Sequence, residues 1–190
     1  MVRFSILSLI ATAAVIPTYA ARLPGAIYRI SCDSPRPPQG APGRHFLAIN
    51  RPSANATFSR YLTEPRAPKW LVKPVVDSIY YRIESESFKD VRLAYPIAQG
   101  GVQVRGDGDS DNLELFDQWT IVDAQPTGTQ AGTYLSFVRP YNSGDMFLDC
   151  NHGLTSTIDN SSPAYLRPDT TQNSVIQLHF EKMGDLPKED

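Results

Sequence analysis

The sequence predicts an all-β chain made of three similar units, each of about fifty residues and four short strands. Three observations carry this. No window sets apolar residues at i, i+3, i+4 and i+7 over three turns; short apolar stretches bounded by proline, glycine, asparagine and aspartate recur instead. Tyr28, Tyr81 and Tyr134 recur at intervals of 53 residues, the first two inside a shared Tyr-Arg-Ile. Trp70 and Trp119 stand 49 residues apart.

The units read in order from these anchors. First strands are "IYRISC" (27–32), "YYRIES" (80–85) and "TYLSFV" (133–138). Second strands are "HFLAIN" (45–50), "VRLAYP" (91–96) and "MFLDCN" (146–151). Third strands are fainter, around Phe58–Leu62, "GVQVRG" (101–106) and "AYLRPD" (164–169). Fourth strands are "KWLVKP", "QWTIVD" and "IQLHFE", with Leu178 and Phe180 standing where the first two units have tryptophan. The repeats span 26–75, 77–124 and 131–183 within a domain of 21–183, and the charged end, 184–190, is expected to be a flexible tail. Three such units are too few for a propeller and close instead as a β-trefoil, six strands in a short barrel with three hairpins over one end. Aromatics at matching positions are then expected to be layers of one core.

The two ends set the compartment. "MVRFSILSLIATAAVIPTYA" has a basic residue at Arg3, an apolar run from Phe4 to Ile16 and small residues at Thr18 and Ala20. This is a secretory signal peptide pattern over residues 1–20, and the run is short for a membrane span of about 20 residues. Its removal takes away Arg3 and no acid, leaving 17 basic against 20 acidic residues, with no basic stripe of the nucleic-acid-binding kind. In an exported chain Cys32 and Cys150 are expected to form one disulfide. Asn55-Ala56-Thr57 and Asn160-Ser161-Ser162 are glycosylation sequons, the second followed by Pro163.

Several short motifs resemble those of β-trefoil proteins in two branches. The small fungal β-trefoil protease inhibitors, the mycocypins and their serine-protease-inhibiting relatives, open with a Gly-x-Tyr-x-Ile strand, where this chain has Gly25 three residues before Tyr28. They continue with Pro-x-Trp-x-Val, a further Tyr-x-Ile, and a later acidic-x-Trp-x-Ile. The matching stretches here are "GAIYRI" (25–30), "PKWLV" (68–72), "YRI" (81–83) and "FDQWTI" (116–121), followed by "LRPD" (166–169). The signal peptide departs from that group. The more distant resemblance is to ricin-B-type lectins, whose repeats end in Gln-x-Trp. Here position 117 is Asp, Gln118 adjoins Trp119, Pro68 stands two before Trp70, and Gln177 precedes His179, so Gln-x-Trp is absent from all three units.

The resemblance to the inhibitors implies a non-enzymatic protein that binds a protease through preorganised loops. The loop "CDSPRPPQGAPGR" (32–44) has prolines at 35, 37 and 38, which lower the entropy lost on docking, and offers Arg36, Pro37 and Arg44. The loop "NRPSANATFSR" (50–60) offers Arg51 and Arg60. Arg36 and Arg51 each precede proline, which resists cleavage after arginine. A lectin would need an exposed aromatic face and polar partners; Tyr141, Asp149 and Asn151 have that chemistry, but no spacing selects them. "DGDSDNLELFDQ" (107–118) starts like a calcium loop, yet has Asn112 for the required glycine and Gln118 for the required glutamate, so it reads as a polar turn between strands. His45, His152 and His179 fit no catalytic motif. The expectation is a secreted monomer with no cofactor, no metal and no role on nucleic acid or membrane. Its partner is a protease or another extracellular protein, as for a secreted effector, with a glycan as the alternative.

Overall fold

The computed structural model describes residues 22–33, 43–59, 66–96, 104–107, 115–128, 131–141, 146–150, 161–168 and 177–188. These residues are all-β. The first unit holds β1 (Ala26–Asp33), β2 (Arg44–Ala48), β3 (Thr57–Ser59) and β4 (Trp70–Pro74). The second holds β5 (Tyr80–Ser85), β6 (Arg92–Pro96), β7 (Arg105–Asp107), β8 (Leu115–Phe116) and β9 (Trp119–Pro126). The third holds β10 (Thr133–Pro140), β11 (Met146–Asp149), β12 (Ser161–Pro163), β13 (Tyr165–Pro168) and β14 (Leu178–Gly184). The strands β8 and β12 are additions to the four expected per unit; β8 pairs with β6, and β12 with β3. The expected polar turn of 107–118 begins at Asp107, the end of β7, and its residues 108–114 lie outside the described residues.

Every pairing is antiparallel, and the first and last strands of the units follow one another around a closed ring. β1 pairs with β4, β4 with β5, β5 with β9, β9 with β10, β10 with β14, and β14 with β1. Both edges of each of these six strands therefore carry partners, which removes the free edges that invite aggregation. Second and third strands form antiparallel pairs, with Leu47 opposite Phe58, Leu93 opposite Gly106, and Leu148 opposite Leu166. Gly106 stands where the other units carry a large residue because the space is taken. A Cβ there would meet Ile49 Cδ1 at 3.0 Å and Val91 Cγ1 at 3.1 Å.

Alternation decides which residues turn inward. On β5, Tyr81, Ile83 and Ser85 are buried, while Tyr80, Arg82 and Glu84 are partly exposed. The repeated tyrosines each face an aromatic in register: Tyr28 opposite Trp70, Tyr81 opposite Trp119, Tyr134 opposite Phe180. Both indoles are buried, and each donates Nε1–H to a backbone carbonyl of its own unit's second strand. Trp70 bonds Leu47 O at 2.9 Å and Trp119 bonds Leu93 O at 2.8 Å. These bonds satisfy the polar end of an otherwise apolar side chain and join barrel to hairpin within one unit.

The three units meet through their backbones. Ala56 N–H donates to Val104 O at 2.7 Å, Val104 N–H to Ala164 O at 3.0 Å, and Ala164 N–H to Ala56 O at 2.9 Å. Each residue immediately precedes its unit's third strand, β3, β7 or β13, and all three are fully buried. The result is a cyclic set of three hydrogen bonds linking the three hairpins.

The first and last described segments also meet. The Tyr28 hydroxyl donates to Pro24 O at 2.8 Å, and the Tyr81 hydroxyl to Leu23 O at 3.0 Å, with Leu23 itself buried. β14 runs through Gly184, and Leu186 beyond it is half-buried beside Gly25.

Burial, reinforced by the neighbouring Tyr134 and Tyr81 phenols, pushes the Tyr28 phenol well above its ordinary range. Burial also pushes the Tyr81 phenol up, against the opposing pull of Arg22 and of its bond to Leu23. A phenol whose folded pKa is raised stabilises the fold fully below the unfolded value of about 10, and that contribution is lost as pH rises above it. Urea unfolding should therefore show stability falling above about pH 10. Tyr28→Phe should cost about 1–2 kcal/mol at neutral pH, through the lost bond to Pro24, and should make the alkaline loss shallower.

Candidate functional site

The site is the base of the connection between β1 and β2. Three strands converge on it. On one side β1 pairs with β2, with Cys32 opposite His45 and Asp33 opposite Arg44. On the other it pairs with β14, with Ser31 opposite His179. The last two residues of β1 then take different roles. Cys32 points inward and forms the disulfide with Cys150, Cα to Cα 6.5 Å, across a sequence separation of 118 residues. Asp33 points outward and is exposed, but it holds two cations or donors from different strands. His179 Nε2 lies 3.0 Å from its Oδ2, and Arg44 Nε 3.8 Å from its Oδ1.

These ties differ in strength. Both cysteines are fully buried, and closing so long a loop in the unfolded chain contributes about 4–5 kcal/mol by chain-entropy reasoning. The pairs on Asp33 are exposed on the acid's side and contribute modestly. A carboxylate can only accept, so His179 presents its Nε2–H to Asp33, leaving Nδ1 buried without a hydrogen-bond partner among the described residues. Chemically this is a clamp. With both cysteines in the disulfide, neither is a thiolate nucleophile, and the acid is engaged with charged or donor groups.

The sequence-derived residues fall as follows. Arg44 is the first residue of β2 and part of the clamp. Arg51 is exposed in the turn after β2, where its carbonyl accepts from Ala54 N–H at 3.1 Å and Ser53 adopts a left-handed φ of 60°. Asn55 is exposed and bridges to Arg105, placing its sequon next to Ala56 and the three-way backbone junction. Arg36, Pro37, Arg60 and Asn160 lie outside the described residues, as do residues 1–20, His152 and Asn151. Asp149 is buried and paired with Arg167 at 2.8 Å, in a second strand whose equivalents are Ala48 and Ala94. Tyr141 is exposed. Trp70 and Trp119, the residues nearest the lectin pattern, are core side chains with no open ring face.

Sequence reading did not find His179 or Asp33 as partners. They are 146 residues apart, and no local spacing links them. Comparison with protein families, with curated proteins and with solved structures yields no match to this chain.

Replacing both cysteines, Cys32→Ser with Cys150→Ser, should lower stability to urea by about 2–5 kcal/mol. Asp33→Asn should cost under about 1 kcal/mol in the same assay. Equal losses would mean that the surface pairs, and not the disulfide, hold the base.

Proposed function

We propose that this chain is a secreted, non-enzymatic binding protein on a β-trefoil scaffold, acting as a protease inhibitor through the loop that joins β1 to β2. The scaffold reading is supported by the closed ring of six strands and by three hairpins joined through cyclic backbone bonds. The disulfide is compatible with an extracellular protein.

One observation carries the inhibitor reading. The loop springs from a base fixed on three strands by a disulfide, by Arg44 and by His179. A docking loop gains affinity when its stems are already ordered, because less conformational entropy is lost on binding. The prolines at 35, 37 and 38 act in the same direction, and Arg36 supplies a cationic side chain ahead of a bond that proline protects. The lectin alternative in its Gln-x-Trp form lacks support, since that motif is absent from all three units.

The test is a titration of the disulfide-intact protein against a papain-like and a trypsin-like protease. Tight stoichiometric inhibition of one class is expected, weakened at least about tenfold when residues 34–42 are replaced by a Gly-Ser linker of equal length. Inhibition of neither class, or equal inhibition by the linker variant, would refute the assignment.

A further inference from the structure

A second surface lies on the outer wall of the ring, on strands that take no part in the loop base. Tyr80 stands on β5 opposite Thr120 of β9, and Thr120 in turn faces Arg139 of β10. Tyr141 follows β10, and its backbone N–H donates to Gln118 O at 3.1 Å. The two tyrosines thus flank β9 from either side and meet across it. Their ring centroids are 4.1 Å apart, with planes inclined at 61°. Beneath them Thr120 is buried. Among the described residues four large hydrophobic side chains are exposed, and Tyr141, at 47% exposure, is the aromatic one.

The rim of this aromatic pair is polar and balanced in charge. Arg82 shares the outer face of β5 with Tyr80, two residues further along. Its Nε lies 3.2 Å from Asp117 Oδ2, which also takes Arg92 Nη1 at 3.0 Å. Glu84 joins the same row, 2.9 Å from Lys73. Gln118, partly exposed between β8 and β9, is tied to the pair through its carbonyl, which accepts from Tyr141 N–H. Carboxylate and guanidinium groups held by one another are preordered donors and acceptors for paired hydroxyls.

We infer that Tyr80 and Tyr141, rimmed by Arg82, Asp117 and Gln118, form a binding site for a hexopyranose unit of a glycan. A pyranose has one face of C–H bonds, whose partial positive charge suits the negative face of an aromatic ring. Its equatorial hydroxyls need paired donors and acceptors around that ring. The wall supplies both. A protein partner would need about 800 Å² of contact, far more than one ring pair offers. A nucleic acid would need uncompensated basic groups, whereas Asp117 and Glu84 offset the arginines here. This site is independent of the inhibitory loop, and neither reading falls with the other.

Saturation-transfer NMR on the intact protein with galactose, mannose, N-acetylglucosamine and their short oligosaccharides tests it. Binding of at least one sugar is expected, with transfer strongest to ring C–H protons. Affinity should fall about tenfold in Tyr141→Ala, fall in Arg82→Ala, and persist in Tyr141→Phe and in Met183→Ala, an exposed side chain on β14. No binding by any of these sugars, or undiminished binding by Tyr141→Ala, would overturn the assignment. Should Tyr141→Ala fail to fold, chemical-shift mapping on the unaltered protein decides the matter. Perturbations at Tyr80, Tyr141 and Gln118 support the site, and perturbations confined to other residues refute it.

Discussion

The cyclic set of backbone hydrogen bonds among Ala56, Val104 and Ala164 is the constraint on which the rest of this structure depends. Three buried N–H groups and three buried carbonyls lie where water cannot reach them, and leaving any unpaired would cost about 1–3 kcal/mol. They can be satisfied together only if the entrances to all three third strands converge. Residues from positions 56, 104 and 164 must therefore arrive at one point, whatever the length of the connections between them. Small side chains at Ala56 and Ala164 permit the close approach of the backbones. The hairpins thereby become mutually dependent, while each indole bond ties a hairpin down to its own part of the barrel.

From that junction the division between fixed and variable parts follows. The six-strand ring is closed by pairing and filled by matched aromatic pairs, so its geometry leaves little freedom. One connection, between β1 and β2, is held at its base by a disulfide to the third unit and by contacts from β14. A stem held in this way is what loop-mediated recognition requires. The outer wall of the same ring differs again, since Tyr80 and Tyr141 are placed by strand register and not by a loop.

Much of the framework was legible in the sequence because it rests on large side chains at repeated positions. The 53-residue spacing of Tyr28, Tyr81 and Tyr134 marks residues that each face an aromatic across a strand pair. The substitution of Phe180 for tryptophan was visible in the same way. The Cys32–Cys150 bond followed from compartment and count. The central junction was not legible, because backbone groups make it and two of its three residues are alanine. Nor were the short strands β8 and β12, which have too few residues to show alternation. At the candidate site, Arg44 was visible as a loop residue, but its partner Asp33 and the approach of His179 depend on β14 returning beside β1. The Tyr80–Tyr141 pair was hidden for a similar reason, as its members come from different units and meet over a third strand.

The most direct test of this account is native-state hydrogen exchange at the amides of Ala56, Val104 and Ala164. If the junction holds the three units together, these amides exchange only through global unfolding, with protection equal to the full unfolding free energy and falling in parallel in urea. Exchange of any of the three at a markedly lower free energy, while the barrel amides stay protected, would show that the units are held by the ring alone and would contradict the account.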